Sequence, residues 1–304
     1  MRPDLYESHF HLRELPFGLT PDPSYFFACP SYREALDTLL VAACNGEGFI
    51  KIIGEVGHGK TLLCRTFLAA LHDESNTHEG VKQISMALGA EREFVTAYLP
   101  NPYLDPRGLL LALAEEFGVQ VDRGVDLHML TKAVTSGLVE IAQAGKQALV
   151  CLDEAQAMPQ VTLEAVRLLT NLETEKRKLL QVVLFGQPEL DQKLKQRSAR
   201  QMLQRITFQY RLCGLRQSEI AAYLDHRLRV AGLEGGELFT HDAVRLLHRY
   251  SGGTPRLVNI LAHKSLMLAF GEGALEIGPR QVKTAAADTP SARQPARFFE
   301  WFAR

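Results

Sequence analysis

Eight consecutive residues, Gly54-Glu55-Val56-Gly57-His58-Gly59-Lys60-Thr61, fill every fixed position of the phosphate-binding pattern GxxxxGK[ST]. Glycines let successive backbone N–H groups turn inward on phosphate oxygens, and a helix that follows adds the positive end of its dipole. Lys60 supplies a point charge to β- and γ-oxygens, and the Thr61 hydroxyl is a ligand for Mg²⁺. Leu62 follows the motif without touching the metal ligand. His58 fills a variable position of the loop that contributes mainly backbone.

A second signal is Leu149-Val150-Cys151-Leu152-Asp153-Glu154, an apolar run that ends in two acids. Asp153 is placed to hold Mg²⁺ through water, and Glu154 to polarise the water that attacks a γ-phosphate. Paired acids at a strand end are often only solvated charge; a phosphate loop on a neighbouring strand gives them chemistry. Gln156 either orients Glu154 or the water, or is a surface amide. A third run, Val182 to Phe185, ends in Gly186-Gln187-Pro188-Glu189-Leu190. Gln187 is the polar residue able to reach the attacking water from that tip, the alternative being an ordinary turn residue.

Arg197, Arg200 and Arg205 are expected on a helix. They read as a basic face for nucleic acid, as solvated surface, or as the source of an arginine finger that reaches a neighbouring subunit's γ-phosphate; Arg205 is the choice for that last role. In Gly252-Gly253-Thr254-Pro255-Arg256, Arg256 opens a helix and either swings onto a nucleotide from a lid or makes an interdomain ion pair. The ten histidines show no HxxxH or HExxH spacing, which argues against a protein-held metal other than nucleotide-bound Mg²⁺.

Strands and helices must position these groups. Phe49 to Ile53 reads as a short buried strand, Lys60 to His72 as a helix, and Phe94 to Leu99 as a strand. Helices are expected over Pro106–Phe117 and Leu127–Ala144, a strand over Gln147–Leu152, a helix over Thr162–Lys176, and a strand over Leu180–Phe185. Alternation of this kind predicts βαβ units and a parallel sheet covered on both faces. Asp73 to Glu93 is polar and poorly periodic and reads as a loop or insertion. After about Cys213 the strand signal stops, and four helical patterns remain: Ser218–Ala231, Thr240–Tyr250, Thr254–Phe270 and Pro279–Ala287, with Ser218 and Thr240 as N-caps. The expected division is an arm and first helix over 1–47, an α/β P-loop core over 48–213, an all-helical lid over 214–287, and a proline-containing linker with an aromatic tail over 288–304.

The 304 residues allow two domains, and 46% hydrophobic with 23% charged residues excludes a disordered or fibrous chain. Lys plus Arg is 34 and Asp plus Glu is 35, a formal charge of −1, so no global excess draws the chain to nucleic acid or anionic lipid. The apolar runs Leu39–Cys44, Leu109–Ala114 and Ala148–Leu152 fall far short of the ~20 residues of a membrane span. Acids stand near the N-terminus where a signal peptide needs an apolar core. Five cysteines without CxxC spacing fit buried thiols in a reducing compartment. These readings give a cytoplasmic expectation.

The order of parts resembles the AAA+ ATPases of the general secretion pathway A (ExeA-like) family. The carriers are the phosphate loop, Asp153-Glu154-Ala155-Gln156, Phe185-Gly186-Gln187-Pro188-Glu189-Leu190, Gln204-Arg205-Ile206 and Gly252 to Arg256. In the arm they are His11-Leu12-Arg13-Glu14-Leu15-Pro16-Phe17, Leu19 to Phe26 and Tyr32-Arg33-Glu34-Ala35-Leu36. The short branch of that family, typified by the MSHA pilus biogenesis protein M, is the nearer match. The resemblance implies an ATP-hydrolysing assembly factor for a type IV pilus or type II secretion machine, bound to ATP/ADP and Mg²⁺. It further implies a ring or filament of identical subunits with ATP between them, peripheral placement at the inner membrane through partners, and an adenine pocket drawn partly from the arm, with Phe17 and Tyr32 as candidates. The alternatives are a DNA-associated transposition helper and a nucleotide-gated scaffold with slow hydrolysis. Phe298, Trp301 and Phe302, on one helical face behind the proline linker, either dock on a partner or membrane surface or fold back on the lid.

Overall fold

The computed structural model describes residues 6–72, 93–122, 124–173, 178–196 and 200–293. All of the expected insertion Asp73–Glu93 except Glu93, together with Arg197, and Phe298, Trp301 and Phe302 of the tail, lies outside the described residues. Contacts divide the chain into two units: one holds Pro30–Val56 and Lys60–Leu212, the other Met1–Cys29, Gly57–Gly59 and Cys213–Arg304.

The first unit is a five-stranded sheet with helices. In chain order its elements are α1 (Pro30–Asn45), β1 (Phe49–Gly54), α2 (Lys60–His72), β2 (Phe94–Leu99), α3 (Pro106–Glu116), α4 (Leu127–Gln143), β3 (Gln147–Leu152), α5 (Gln160–Leu169), β4 (Leu180–Gly186), α6 (Pro188–Lys195), α7 (Arg200–Leu203) and β5 (Ile206–Leu212). The strand order is β2-β3-β4-β1-β5, every pair parallel, with Ile50 opposite Val183 and Val150 opposite Val182. Every residue of β1, β3 and β4 is buried, which is why these strands are nearly continuous apolar runs: helices cover both faces. One face packs Phe49, Ile53, Val150, Leu152, Val182 and Leu184 against Leu109, Leu113, Leu130, Val134, Leu163 and Leu190. The Asp105 side chain caps α3 by accepting from Gly108 N–H at 2.6 Å, and Asp126 caps α4 by accepting from Met129 N–H at 2.8 Å.

Three expectations change. The phosphate-loop strand β1 and the acidic strand β3 are not neighbours, because β4 lies between them. The helix expected over Thr162–Lys176 stops at Leu169, where Thr170 caps it, and the chain turns towards a short antiparallel bridge of Glu173 with Lys178. Arg205 is not helical, since α7 ends at Leu203 and β5, unforeseen as a strand, begins at Ile206.

The second unit is helical: α8 (Gln217–Val230), α9 (His241–Ser251), α10 (Pro255–Glu272) and α11 (Pro279–Ala287), with the N-terminal arm packed on it. Thr240 caps α9 as expected, accepting from Ala243 N–H at 3.2 Å. Ser218 instead lies inside the first turn of α8, where the Glu219 carboxylate accepts the Arg216 N–H at 2.7 Å. The aromatic arm has its partners here. Arg227, 5% exposed, donates to Pro16 O at 2.6 Å and Gly18 O at 3.3 Å, and its guanidinium lies 4.5 Å over the Tyr25 ring. Tyr25 donates to Glu14 at 2.7 Å, Tyr6 Oη pairs with His263 Nδ1 at 2.7 Å, and Phe17 meets Phe239 edge to face. No helix among the described residues is long and apolar enough to cross a membrane.

Candidate active site

In a parallel sheet the C-terminal ends of all strands share one edge, and ligands gather where the connections diverge. Here that edge carries Gly54 at the end of β1, Gln187 just past β4 and Asp153 just past β3, with Gln187 between the other two because of the strand order.

Gly57 and Gly59 have φ of 80° and 74°, backbone that side chains with a Cβ rarely adopt, whereas His58 between them does not. A Cβ on Gly57 would also lie 2.8 Å from Arg256 Cβ. Gly54 is buried, Glu55 and Val56 are exposed, and Thr61 and Leu62 are half-buried at the start of α2. Lys60 is 5% exposed, and its ammonium donates to Gly54 O at 2.9 Å and Glu55 O at 3.1 Å. Burial lowers its pKa, opposed by the nearby carboxylates of Glu154 and Asp153. The Thr61 hydroxyl donates to Asp153 Oδ2 at 2.6 Å, so hydroxyl and carboxylate are already paired across β4. Asp153 is 1% exposed; burial raises its pKa, against the hydrogen bonds from Thr61 and from the Glu154 N–H at 2.9 Å. Tyr98 on β2 reaches the same Oδ2 at 3.5 Å, and burial with the Asp153 charge pushes its phenol up to about 12.

Glu154 adopts left-handed backbone, φ 52° and ψ 37°, a conformation that costs a residue with a side chain about 1–3 kcal/mol. What holds it there is a bonded ring: Gln187 Nε2 donates to Glu154 Oε2 at 3.0 Å, Gln156 Nε2 donates to the same oxygen, and Gln187 N–H donates to Gln156 Oε1 at 3.0 Å. Gln156 is thus a bridge between the two rather than a free surface amide. Lys193 on α6, which nothing in the sequence singled out, donates to Gln156 O and Met158 O, both at 2.6 Å.

Lys60, Thr61, Asp153, Glu154 and Gln187 therefore come together in the sheet unit. Arg205 does not join them: it is exposed and donates to Asn171 Oδ1. Arg200 is exposed at the start of α7. Arg256, in the helical unit, is exposed, and its backbone N–H donates to Gly57 O at 3.2 Å. Phe17 is buried in the helical unit and Tyr32 in α1 of the sheet unit. Among the described residues no group of three or more His, Cys, Asp or Glu side chains could hold a metal by itself.

The donor set fits a nucleotide with its ion: a glycine loop at a helix start, a buried ammonium, and a hydroxyl beside a carboxylate suited to Mg²⁺. Residues 44–194 match the family described as AAA domain. At least 90% of this chain superposes on two solved structures: the ORC2 protein of Aeropyrum pernix (TM-score 0.64, 17% identity, 92% of this chain and 72% of that one) and Cdc6p of Pyrobaculum aerophilum (0.63, 17%, 90% and 70%). The RuvB branch migration motor of Thermotoga maritima follows at 0.52, with 14% identity over 84% of this chain and 68% of that one. Fold and site together define an AAA+ P-loop ATPase. The chain is also 39% identical over 289 residues to General secretion pathway protein A of Aeromonas hydrophila, covering 95% of this chain and 49% of that protein. It is an ExeA-like AAA+ ATPase that spans about half the length of the curated relative it matches. Nothing in these likenesses singles out the MSHA branch.

Proposed function

We propose that this chain hydrolyses ATP to ADP and phosphate within a homo-oligomer, a ring or filament, and so drives assembly of an envelope machine of the type II secretion or type IV (MSHA-like) pilus kind. The convergence of Lys60, Thr61, Asp153, Glu154 and Gln187 on the ends of three adjacent strands carries the catalytic part, and the 39% identity to a general secretion pathway protein supports the cellular part. Gly54 to Leu62 cradle the phosphates. Mg²⁺, held through Thr61 and Asp153, supplies charge neutralisation at the phosphate oxygens. Glu154 takes a proton as water attacks the γ-phosphorus and the bond to the β-phosphate oxygen breaks, while Gln187 orients that water. Arg205 of a neighbouring subunit compensates the developing charge, and Arg256 reports nucleotide state to the helical unit. Phe17 and Tyr32 contribute to the adenine side. The chain works in the cytoplasm, at the inner membrane through its partners; the balance of 34 basic and 35 acidic residues supplies no surplus for a role on nucleic acid.

ATP turnover per subunit, measured against protein concentration, tests this reading. Specific activity should climb with concentration, and Arg205→Ala should lower it by about 10³-fold or more. Activity independent of concentration, with Arg205→Ala at the parent rate, would reject the shared site.

A further inference from the structure

We propose that Lys193 is a positioning residue for hydrolysis, clamping the turn that carries Glu154 to the helix that carries Gln187. The proposal rests on the reading of Glu154 as the base. Three observations build it. Glu154 is one of only two described residues other than glycine with positive φ, so its conformation needs support from outside its own backbone. The turn beyond it, Ala155–Ala157, is a single tight turn capped by Met158, and Lys193 donates to Gln156 O within it and to Met158 O at its cap. Finally, α6 begins at Pro188, directly after Gln187, so one short helix presents Gln187 at its head and Lys193 near its end.

The two ends of α6 thus grip the same turn. At the head, Gln187 bonds Glu154 through its side chain and Gln156 through its backbone; near the tail, the ammonium fixes the Gln156 backbone. With the ammonium removed, Gln156 is held only by its side chain, and the carboxylate it bridges loses its fixed direction. Lys193 is remote from the phosphate loop by bonding: its two partners are carbonyls of the acidic turn, while Lys60 is held by Gly54 and Glu55. Binding and turnover should therefore separate. An oxygen misplaced by about 1 Å costs up to ~10² in rate.

The test is steady-state turnover and fluorescent-ATP affinity of the full chain carrying Lys193→Met and, separately, Lys193→Gln, beside Glu154→Gln. Expected is a kcat lower by about 10- to 100-fold in K193M, smaller in K193Q, with ATP affinity within about two-fold of the parent. Adding Gln156→Leu to K193M should cost less than the product of the two single effects, because both act on one carboxylate. Parent kcat in K193M with Glu154→Gln inactive overturns the proposal alone. Parent kcat in Glu154→Gln removes the reading beneath it. Loss of ATP affinity in both Lys193 variants also overturns it, since Lys193 is given no part in binding.

Discussion

Lys51 Nζ lies 2.6 Å from Asp191 Oδ1 inside the sheet unit, joining the middle of β1 to α6 with the lysine side chain 5% exposed. Asp191 also receives Arg211 of β5 at 3.3 Å, so the two cations are unequal: one is buried and the other stands in solvent. Asp191→Asn strands the buried ammonium and should cost about 3–5 kcal/mol. Lys51→Met leaves Asp191 with Arg211 and should cost clearly less. Chemical denaturation of the two variants should rank them in that order; equal losses would show that the pair is not the anchor of α6.

The left-handed conformation of Glu154 sets stability against chemistry. Glycine adopts that backbone without strain, so Glu154→Gly should raise the unfolding free energy by about 1 kcal/mol while abolishing turnover. Glu154→Gln keeps the strain and should lower kcat by about 10²–10⁴ with ATP binding retained. Thermal melts beside the activity assay distinguish them: a glycine variant less stable than the parent would remove strain as the explanation.

Asp153 gives a pH signature with a definite sign. Its carboxyl titrates above the ordinary range because burial disfavours the anion. Between the ordinary carboxylate pKa and this raised value the folded state holds a proton that the unfolded state has lost, so stability falls as pH rises through that window. Asp153→Asn has no proton to lose. Its stability relative to the parent should therefore increase as the pH rises above about 4, read as the difference in urea midpoints. A pH-independent difference would mean the charge is fully compensated.

Arg227 should govern the arm. Removing a buried guanidinium that feeds two carbonyls and stacks on Tyr25 should cost about 2–4 kcal/mol in Arg227→Met. Limited proteolysis should then cut within the arm, around Leu15–Thr20, before the helices. Lysine at the position should restore little, since one ammonium cannot both stack and fork.

Much of this arrangement is legible in the sequence because periodicity and motif coincide. Buried strands β1 and β3 show as apolar runs that end in Gly54 and in Asp153-Glu154, and the glycine spacing together with Lys60 and Thr61 locates the phosphate loop. The omissions have physical causes. Ile206-Thr207-Phe208-Gln209-Tyr210-Arg211-Leu212 alternates strictly, the mark of an edge strand with one covered face, but follows arginines that read as helical. Strand order is a long-range property, so nothing local says that β4 separates β1 from β3. Lys193 and Arg227 resemble any surface cation until carbonyls gather around them, and carbonyls carry no residue type.

The strand order also fixes when the sheet can form. Ile50 of β1 pairs with Val183 of β4 on one side and Phe208 of β5 on the other, both made long after it. During synthesis the apolar segment Phe49–Ile53 must wait without a strand neighbour until Gly186 has left the ribosome, while β2 and β3 can already zip together. A nascent chain halted before Leu180 should therefore be the form that aggregates or binds a holding chaperone, and release should begin once β4 has emerged.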